Sequence, residues 1–128
     1  MGNREQPATT ATARSHRDLV VWQKAMEMTV QVYQLTASFP ATETYRLTSQ
    51  VTRSAMSVPA NIAEGNARGT TRDYAHFVSI AKGSLMETET FLLLAVRLGY
   101  LPEEKCAPTL DLITEVSKML TTLRSRLL

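Results

Sequence analysis

The chain has 128 residues, of which 44% are hydrophobic and 20% are charged, and this length and balance suit one globular domain with a substantial core. Its formal net charge of +2 permits a nucleic-acid partner without requiring one, and its single cysteine, Cys106, excludes an intrachain disulfide and a cysteine-based metal site. No apolar run approaches the roughly 18 residues of a membrane-spanning helix and the first segment lacks the apolar core of a signal peptide, so we expect a cytoplasmic protein with no membrane partner.

The first segment, residues 1–16, is rich in Thr, Ala and Arg and shows no apolar periodicity. This composition predicts a flexible N-terminal tail, followed by a folded domain over residues 17–128. The arginines of the tail would suit a basic arm for nucleic acid, but an inert, solvated tail is the simpler interpretation.

Four segments then carry apolar residues at steps of three and four, which predicts four amphipathic helices. The predicted core face of the first helix consists of Leu19, Trp22, Met26, Val30, Tyr33 and Ala37. The second helix is predicted from about Thr44 to Glu64, with a stop at Gly65 and Asn66 and a core face of Leu47, Val51, Val58 and Ile62.

The third helix is predicted to open at Thr70, three residues before Asp73, and to end at the sequence LGYLP. Its predicted core face consists of Tyr74, Phe77, Val78, Ala81, Leu85, Leu92 and Val96. The fourth helix is predicted to start near Pro102 and to bury Ile113, Val116, Leu120, Leu123 and Leu127. Since no segment alternates with the period of a strand, the fold class predicted is all-α, an antiparallel up-down-up-down four-helix bundle.

Two of these helices carry more apolar surface than one core needs. The first helix has a second apolar stripe, nearly opposite its predicted core face, made of Val21, Met28, Val32 and Leu35. The third helix has an apolar shoulder beside its core face, made of Ile80, Phe91, Leu94 and Leu98. Because large exposed apolar patches mark contact surfaces, the second stripe of the first helix is predicted to be the interface of a homo-oligomer.

The second helix also carries a polar seam beside its core face, made of Arg46, Gln50, Arg53, Ser57, Asn61 and Glu64. Pro59 lacks an N–H and its ring crowds the preceding turn, which predicts a kink or a restart of the helix at Ser57. Asn61 and Glu64 are predicted to be partly buried and hydrogen-bonded toward the third helix, where a mid-helix glycine favours a close crossing. The predicted structural polar seam consists of Ser57, Asn61, Glu64, Gly83, Ser84 and Glu87.

Catalytic interpretations find little support. Asp73 and His76 are spaced like the carboxylate–histidine element of di-iron bundles, but the sequence has no second such element. Nucleophile motifs, phosphate-binding loops and dinucleotide-binding loops are absent from the sequence. We therefore predict no catalytic residue, no metal, no cofactor and no enzymatic activity.

Three stretches of the sequence resemble a known family: DLVVWQKAMEMTVQVYQLTASFP, LTSQVTRSAMSVPANIAEGNAR and YAHFVSIAKGSLMETETFLLLAVRLGYL. Their most specific parts are SVPANIAEG, Arg68 and GSLMETET. The three stretches are similar to the four-helix bundle proteins encoded in intervening sequences of bacterial 23S rRNA genes, and the likeness covers about residues 18–125. The resemblance implies a homo-oligomeric ring, a homopentamer, for which no enzymatic activity is known. The family is in turn similar to the accessory protein of diversity-generating retroelements, which implies nucleic acid and a nucleic-acid-processing protein as possible partners.

The function predicted is therefore a non-enzymatic, homo-oligomeric helical scaffold that binds nucleic acid, structured RNA above all. The residues predicted to meet the phosphates are Arg46, Arg53, Arg68, Arg72 and Lys82. The alternative is a protein–protein adaptor whose arginines are only solvated. The chain departs from its more basic relatives after Gly65, where only Arg68 and Arg72 precede the body of the third helix.

Overall fold

The computed structural model describes residues 15–128 of the chain. Within that range the chain forms α-helices and no strand, which confirms the predicted all-α fold class. The four helices are α1 (Val20–Leu35), α2 (Leu47–Asn66), α3 (Thr71–Arg97) and α4 (Glu103–Leu127). Since α1 and α3 each pack against both α2 and α4, the helices share one core. Of the tail predicted for residues 1–16, residues 1–14 lie outside the described range.

The ends of α3 follow the signals in the sequence. The Thr70 hydroxyl accepts the Asp73 N–H at 3.1 Å, as expected of a residue that caps a helix N-terminus. After the helix, Gly99 has φ of +80°, and the Tyr100 N–H donates to the Ala95 carbonyl at 2.9 Å. This pattern closes the last turn of a helix and needs a residue that tolerates positive φ, which explains the glycine.

The core faces predicted for α2, α3 and α4 are confirmed. The residues predicted to face the core from α2 and α4 are all buried: Leu47, Val51, Val58, Ile62, Ile113, Val116, Leu120, Leu123 and Leu127. On α3, Phe77 and Val96 are half-buried and the remainder of the predicted face is buried. These three helices each have one dominant apolar stripe, so their orientation follows from periodicity.

The predicted orientation of α1 is wrong. Val21, Met28 and Val32, predicted as the interface between subunits, are 6%, 0% and 0% exposed in one chain and belong to its core, and Leu35 packs against that core. The stripe predicted as the core face is largely exposed instead: Met26 is 41%, Val30 53% and Tyr33 47% exposed.

The chemistry of the two stripes explains the reversal. The inward stripe of α1 has no hydrogen-bonding side-chain group to satisfy, since Val21, Ala25, Met28 and Val32 are all apolar and at most 6% exposed. The outward stripe carries Trp22 and Tyr33, whose polar N–H and O–H groups favour a boundary with water. Both stripes have helical spacing, so periodicity alone cannot choose between them.

The helix α2 runs without interruption through Pro59, so the predicted restart at Ser57 is not observed. Pro59 has no N–H to give to the Ala55 carbonyl, which would otherwise close a helical turn. The hydroxyl of Thr29, on α1, lies 3.1 Å from the Ala55 oxygen and 2.8 Å from the oxygen of Ala25. The single hydroxyl proton of Thr29 is therefore shared between the carbonyl of its own helix and the Ala55 carbonyl, which the proline leaves without an N–H.

Thr29→Val is expected to destabilise the fold by about 1–3 kcal/mol, because it leaves the Ala55 carbonyl without a donor at the helix contact. Pro59→Ala restores an N–H to that carbonyl. In a double-mutant cycle followed by urea unfolding, Thr29→Val should therefore cost clearly less when Pro59 is already alanine. Equal costs in both backgrounds would show that the hydroxyl does not substitute for the missing N–H.

The connection between α1 and α2 is fixed to the turn between α3 and α4. The Glu43 carboxylate accepts the Leu47 N–H at 3.1 Å and the Tyr100 O–H at 2.9 Å, and the Ser38 hydroxyl donates to the Tyr100 carbonyl at 2.9 Å. These donors, the Leu47 N–H first, hold the pKa of Glu43 below its usual value. Two connections that are distant in sequence are thereby tied together at one end of the molecule.

Candidate functional site

An apolar cleft with a volume of about 680 Å³ lies on the surface between α1 and α2. We call it the apolar groove. Its lining residues are His16, Trp22, Met26, Thr29, Val30, Tyr33, Gln34, Met56, Pro59, Ala60 and Ala63. The stripe of α1 that faces away from the core therefore forms one wall, and a face of α2 forms the other.

Local chemistry shapes this groove. On α2, Ala60 and Ala63 leave room above the helix axis, so the wall is concave there. The Tyr33 hydroxyl donates to the sulfur of Met56 at 3.2 Å and joins the two walls. At one end the ring of His16 meets Trp22 edge to face, with 5.0 Å between centroids. His16 was predicted to belong to the tail, and this contact places its side chain against the folded domain.

The groove is suited to contact with apolar surfaces. Aromatic rings and methionines dominate it, and such side chains adapt to and bury apolar partners. Among the described residues, no three His, Cys, Asp or Glu side chains lie close enough together to hold a metal ion. The buried Cys106 thiol lies in the core, where desolvation raises its pKa above the usual value.

A second exposed apolar surface lies on α3. It consists of the predicted shoulder residues Ile80, Phe91, Leu94 and Leu98, and we call it the α3 strip. Ile80, Leu94 and Leu98 are 38%, 43% and 50% exposed and Phe91 is half-buried, so these side chains stand on the surface as a shoulder should. Gly83 lies one turn after Ile80 on the same side of the helix and is exposed.

The polar seam between α2 and α3 is real, but smaller than predicted. The hydroxyls of Ser57 and Ser84 hydrogen-bond at 2.9 Å. The Asn61 amide was predicted to bond toward α3, but it donates within α2, to the Ser57 hydroxyl and carbonyl, both at 2.8 Å. Deeper in the contact, the hydroxyls of Ser54 and Thr88 bond at 2.8 Å. Sequence reasoning missed this second pair, although Ser54 lies one turn before Ser57 on the same side of α2.

Two residues predicted for the seam, Glu64 and Gly83, do not belong to it. Glu64 is exposed and pairs with Arg68 on its own helix end, with 3.5 Å between the carboxylate and the guanidinium. Glu87 is exposed and lies at the edge of the seam, in a small surface cleft of about 220 Å³ that Ser57 and Ser84 also line. At Gly83, an added Cβ would meet no atom within 4 Å, so no other helix of the chain packs closely against this glycine.

The close crossing of α2 and α3 lies at Gly65 instead. A Cβ on Gly65 would approach the Phe77 Cβ and the Tyr74 Cδ1 to 2.9 Å, which is shorter than real contacts allow. Gly65 was predicted as a helix stop, but it lies inside α2, and the C-cap is Ala67. The glycine is therefore required by packing, and the end of the helix is set two residues later.

Within one chain, the residues predicted to bind phosphates lie far apart. Arg46 and Arg68 flank the 20 residues of α2, which separates them by about 30 Å at the rise of an α-helix. Arg72 lies in the first turn of α3, Lys82 is half-buried about three turns later, and Arg53 lies between the ends of α2. These positions make a scattered set of charges in a single subunit.

Arg68 is the most constrained of these residues. Besides its contact with Glu64, its guanidinium carbon lies 4.9 Å from the centroid of the Phe77 ring, in the geometry of a cation–π contact. Arg53 and Arg72 are exposed, and neither forms an ion pair with another residue in the range 15–128. The latter two are therefore freer to meet a ligand than Arg68.

None of the helices between residues 15 and 128 combines the length and the apolar character that crossing a bilayer requires.

Comparison with known proteins agrees with this architecture. The model of the family described as 23S rRNA-intervening sequence protein matches residues 17–122. Among solved structures, the chain is similar to a protein of unknown function from the S23 ribosomal protein family of Bacteroides thetaiotaomicron. The two are 27% identical with a TM-score of 0.74, and the match covers 82% of this chain and 98% of the other. No functionally curated protein matches the sequence significantly.

Proposed function

Because the chain belongs to the 23S rRNA-intervening sequence protein family, we propose that it is a non-enzymatic, homo-oligomeric helical scaffold of the bacterial cytoplasm. The observation that carries this proposal is the apolar groove, whose Val30, Tyr33 and Met56 side chains are about half exposed in one chain. A groove of this kind is typical of a surface that another chain covers. The copies assemble into a closed pentameric ring.

Within each copy we propose an antiparallel, up-down-up-down arrangement of the helices. The contacts between α2 and α3 support it, since Ser54 meets Thr88, Ser57 meets Ser84 and Gly65 meets Tyr74. Residue numbers rise along one helix as they fall along the other. The same holds between α1 and α4, where Lys24 pairs with Glu115 and Gln31 bonds to Thr109.

The mass of the wild-type protein in solution tests the scaffold. Sedimentation equilibrium or light scattering at micromolar concentration is expected to give one discrete species whose mass is a multiple of the monomer's, five-fold for the proposed ring. A monomer at every concentration up to about 100 μM would overturn the proposal, since interfaces of standard size associate well below that range.

Nucleic-acid binding, above all of structured RNA, is the second function we propose for the same scaffold. The free guanidinium groups of Arg53 and Arg72 favour it. One copy offers few charges, but a ring repeats them in every subunit and makes a surface that can neutralise several phosphates at once. Such binding is driven by counterion release and carries little sequence specificity.

The salt dependence of RNA binding tests this second function. The logarithm of the affinity should fall with the logarithm of the salt concentration, with a slope of about 0.7–0.9 per phosphate contact. The double variant Arg53→Ala/Arg72→Ala should bind more weakly and with a flatter slope, whereas Lys118→Ala, which removes an exposed charge from α4, serves as the matched control. If the wild type binds neither RNA nor DNA at low salt, the protein–protein adaptor becomes the better description of the scaffold.

A further inference from the structure

We infer that the α3 strip of one copy seats in the apolar groove of the next copy, in a head-to-tail contact. This inference rests on the proposed homo-oligomeric function and specifies which surfaces meet. The occupant of the groove is a second copy of this chain. Three features support this contact: the exposed area of the groove, the presence of two different apolar faces, and Gly83.

The exposed area of the groove is of the right size for a subunit contact. Met26, Val30, Tyr33 and Met56 are 41%, 53%, 47% and 47% exposed. A fully exposed large side chain presents on the order of 200 Å² of surface, so these four side chains together expose roughly 400 Å². About 60% of the area of a protein interface is apolar, so an apolar patch of this size corresponds to a buried area of roughly 650 Å² per partner. This area is close to the approximately 800 Å² per partner of a standard stable interface.

The presence of two different apolar faces favours a head-to-tail contact over a symmetric dimer. The groove lies between α1 and α2, whereas the α3 strip stands on another helix. A two-fold contact of groove against groove would leave Ile80, Leu94 and Leu98 in water. A contact of strip into groove covers both faces with a single kind of interface, and repetition of such a contact closes into a ring when the rotation allows it.

Gly83 is an independent observation on the same face. A glycine in the interior of a helix costs about 0.5–1 kcal/mol relative to alanine, and α3 continues for more than ten residues on either side of Gly83. Nothing within the chain requires it, because an added Cβ would meet no atom within 4 Å. If a second chain packs closely against the α3 strip at this point, the absence of a side chain at position 83 is explained.

Complementation between two variants tests the pairing. Val30→Glu places a charge in the groove and leaves the strip intact, whereas Leu94→Glu places a charge on the strip and leaves the groove intact. Each variant alone is expected to be monomeric and helical. An equimolar mixture is expected to form a one-to-one pair and nothing larger, because it retains one good strip and one good groove. Native mass spectrometry resolves these species, and Thr114→Glu, an exposed change on α4, is the control that should keep the wild-type mass.

Different failures of this experiment have different meanings. If Val30→Glu dissociates the assembly while Leu94→Glu leaves it intact, or if the mixture stays monomeric, the strip does not meet the groove and the inference is overturned, although the scaffold stands. A monomeric wild type would instead remove the proposed function itself.

The variant Gly83→Leu tests the same contact in a second way. Because the site is open within the chain, the variant should keep or increase the helical stability of the monomer. It should nevertheless shift the assembly toward monomer by at least about ten-fold in dissociation constant, since a side chain at a close approach separates the two chains. An unchanged dissociation constant would show that Gly83 faces water in the assembly.

Discussion

Met28→Glu is expected to unfold the protein and not merely to dissociate it. Met28 is 0% exposed within one chain, among the largest fully buried side chains of the core. Loss of a buried methionine side chain alone costs about 2–5 kcal/mol, and the glutamate adds the cost of removing a carboxylate from water or of protonating it. The sum approaches the total stability of a domain of this size, which is about 5–15 kcal/mol.

The matched control is Val30→Glu, which lies two residues away on the opposite side of α1 and is 53% exposed. This variant should retain the helical circular dichroism of the wild type and unfold cooperatively in urea, whereas Met28→Glu should lose most of its helical signal at 25 °C. A Met28→Glu variant that stays folded and simply becomes monomeric would return the interface to the stripe of Val21 and Met28 and would reverse the orientation of α1.

Much of the fold could be predicted because local signals and packing agree. Thr70 and Gly99 mark the ends of α3, and their backbone geometry explains why. The dominant apolar stripes of α2, α3 and α4 indicated which sides face inward. On α1 the two stripes have nearly the same periodicity, and the choice between them depends on which one the assembled core accommodates, where Ala25, Met28 and Val32 are fully buried.

The surfaces were less predictable than the core. The seam residues Ser57, Asn61 and Ser84 were found because their spacing places them between helices, but Glu64 was not placed correctly. A long carboxylate near a helix end can reach solvent and Arg68, so its position on the helical face does not decide its partner. The groove could not be predicted from the sequence, because its α1 wall is the stripe that periodicity assigns to the core.

The two mid-chain glycines show the same limit. Sequence reasoning gave Gly83 the close crossing and Gly65 the helix stop, and the structure gives the crossing to Gly65. Both residues are flanked by helix-forming segments, and nothing in their immediate sequence reveals that only one faces another helix of the same chain. The relevant information is the distance between α2 and α3, which depends on the packing of Tyr74 and Phe77.

Replacing these two glycines with alanine should therefore have effects of opposite sign. Gly65→Ala would bring a methyl group to 2.9 Å from the Phe77 Cβ, an atom fixed to the α3 backbone, so the helices must separate. Overpacking of this kind costs about 1–3 kcal/mol, which exceeds the roughly 1 kcal/mol gained in helix propensity. Gly83→Ala gains the same propensity and meets nothing, so it should raise the free energy of unfolding. Urea unfolding of both variants in the monomeric Val30→Glu background keeps assembly from contributing, and the two should differ by the overpacking cost, about 1–3 kcal/mol. Equal stabilisation by both would mean that Tyr74 and Phe77 yield readily and that Gly65 is not required for the contact between α2 and α3.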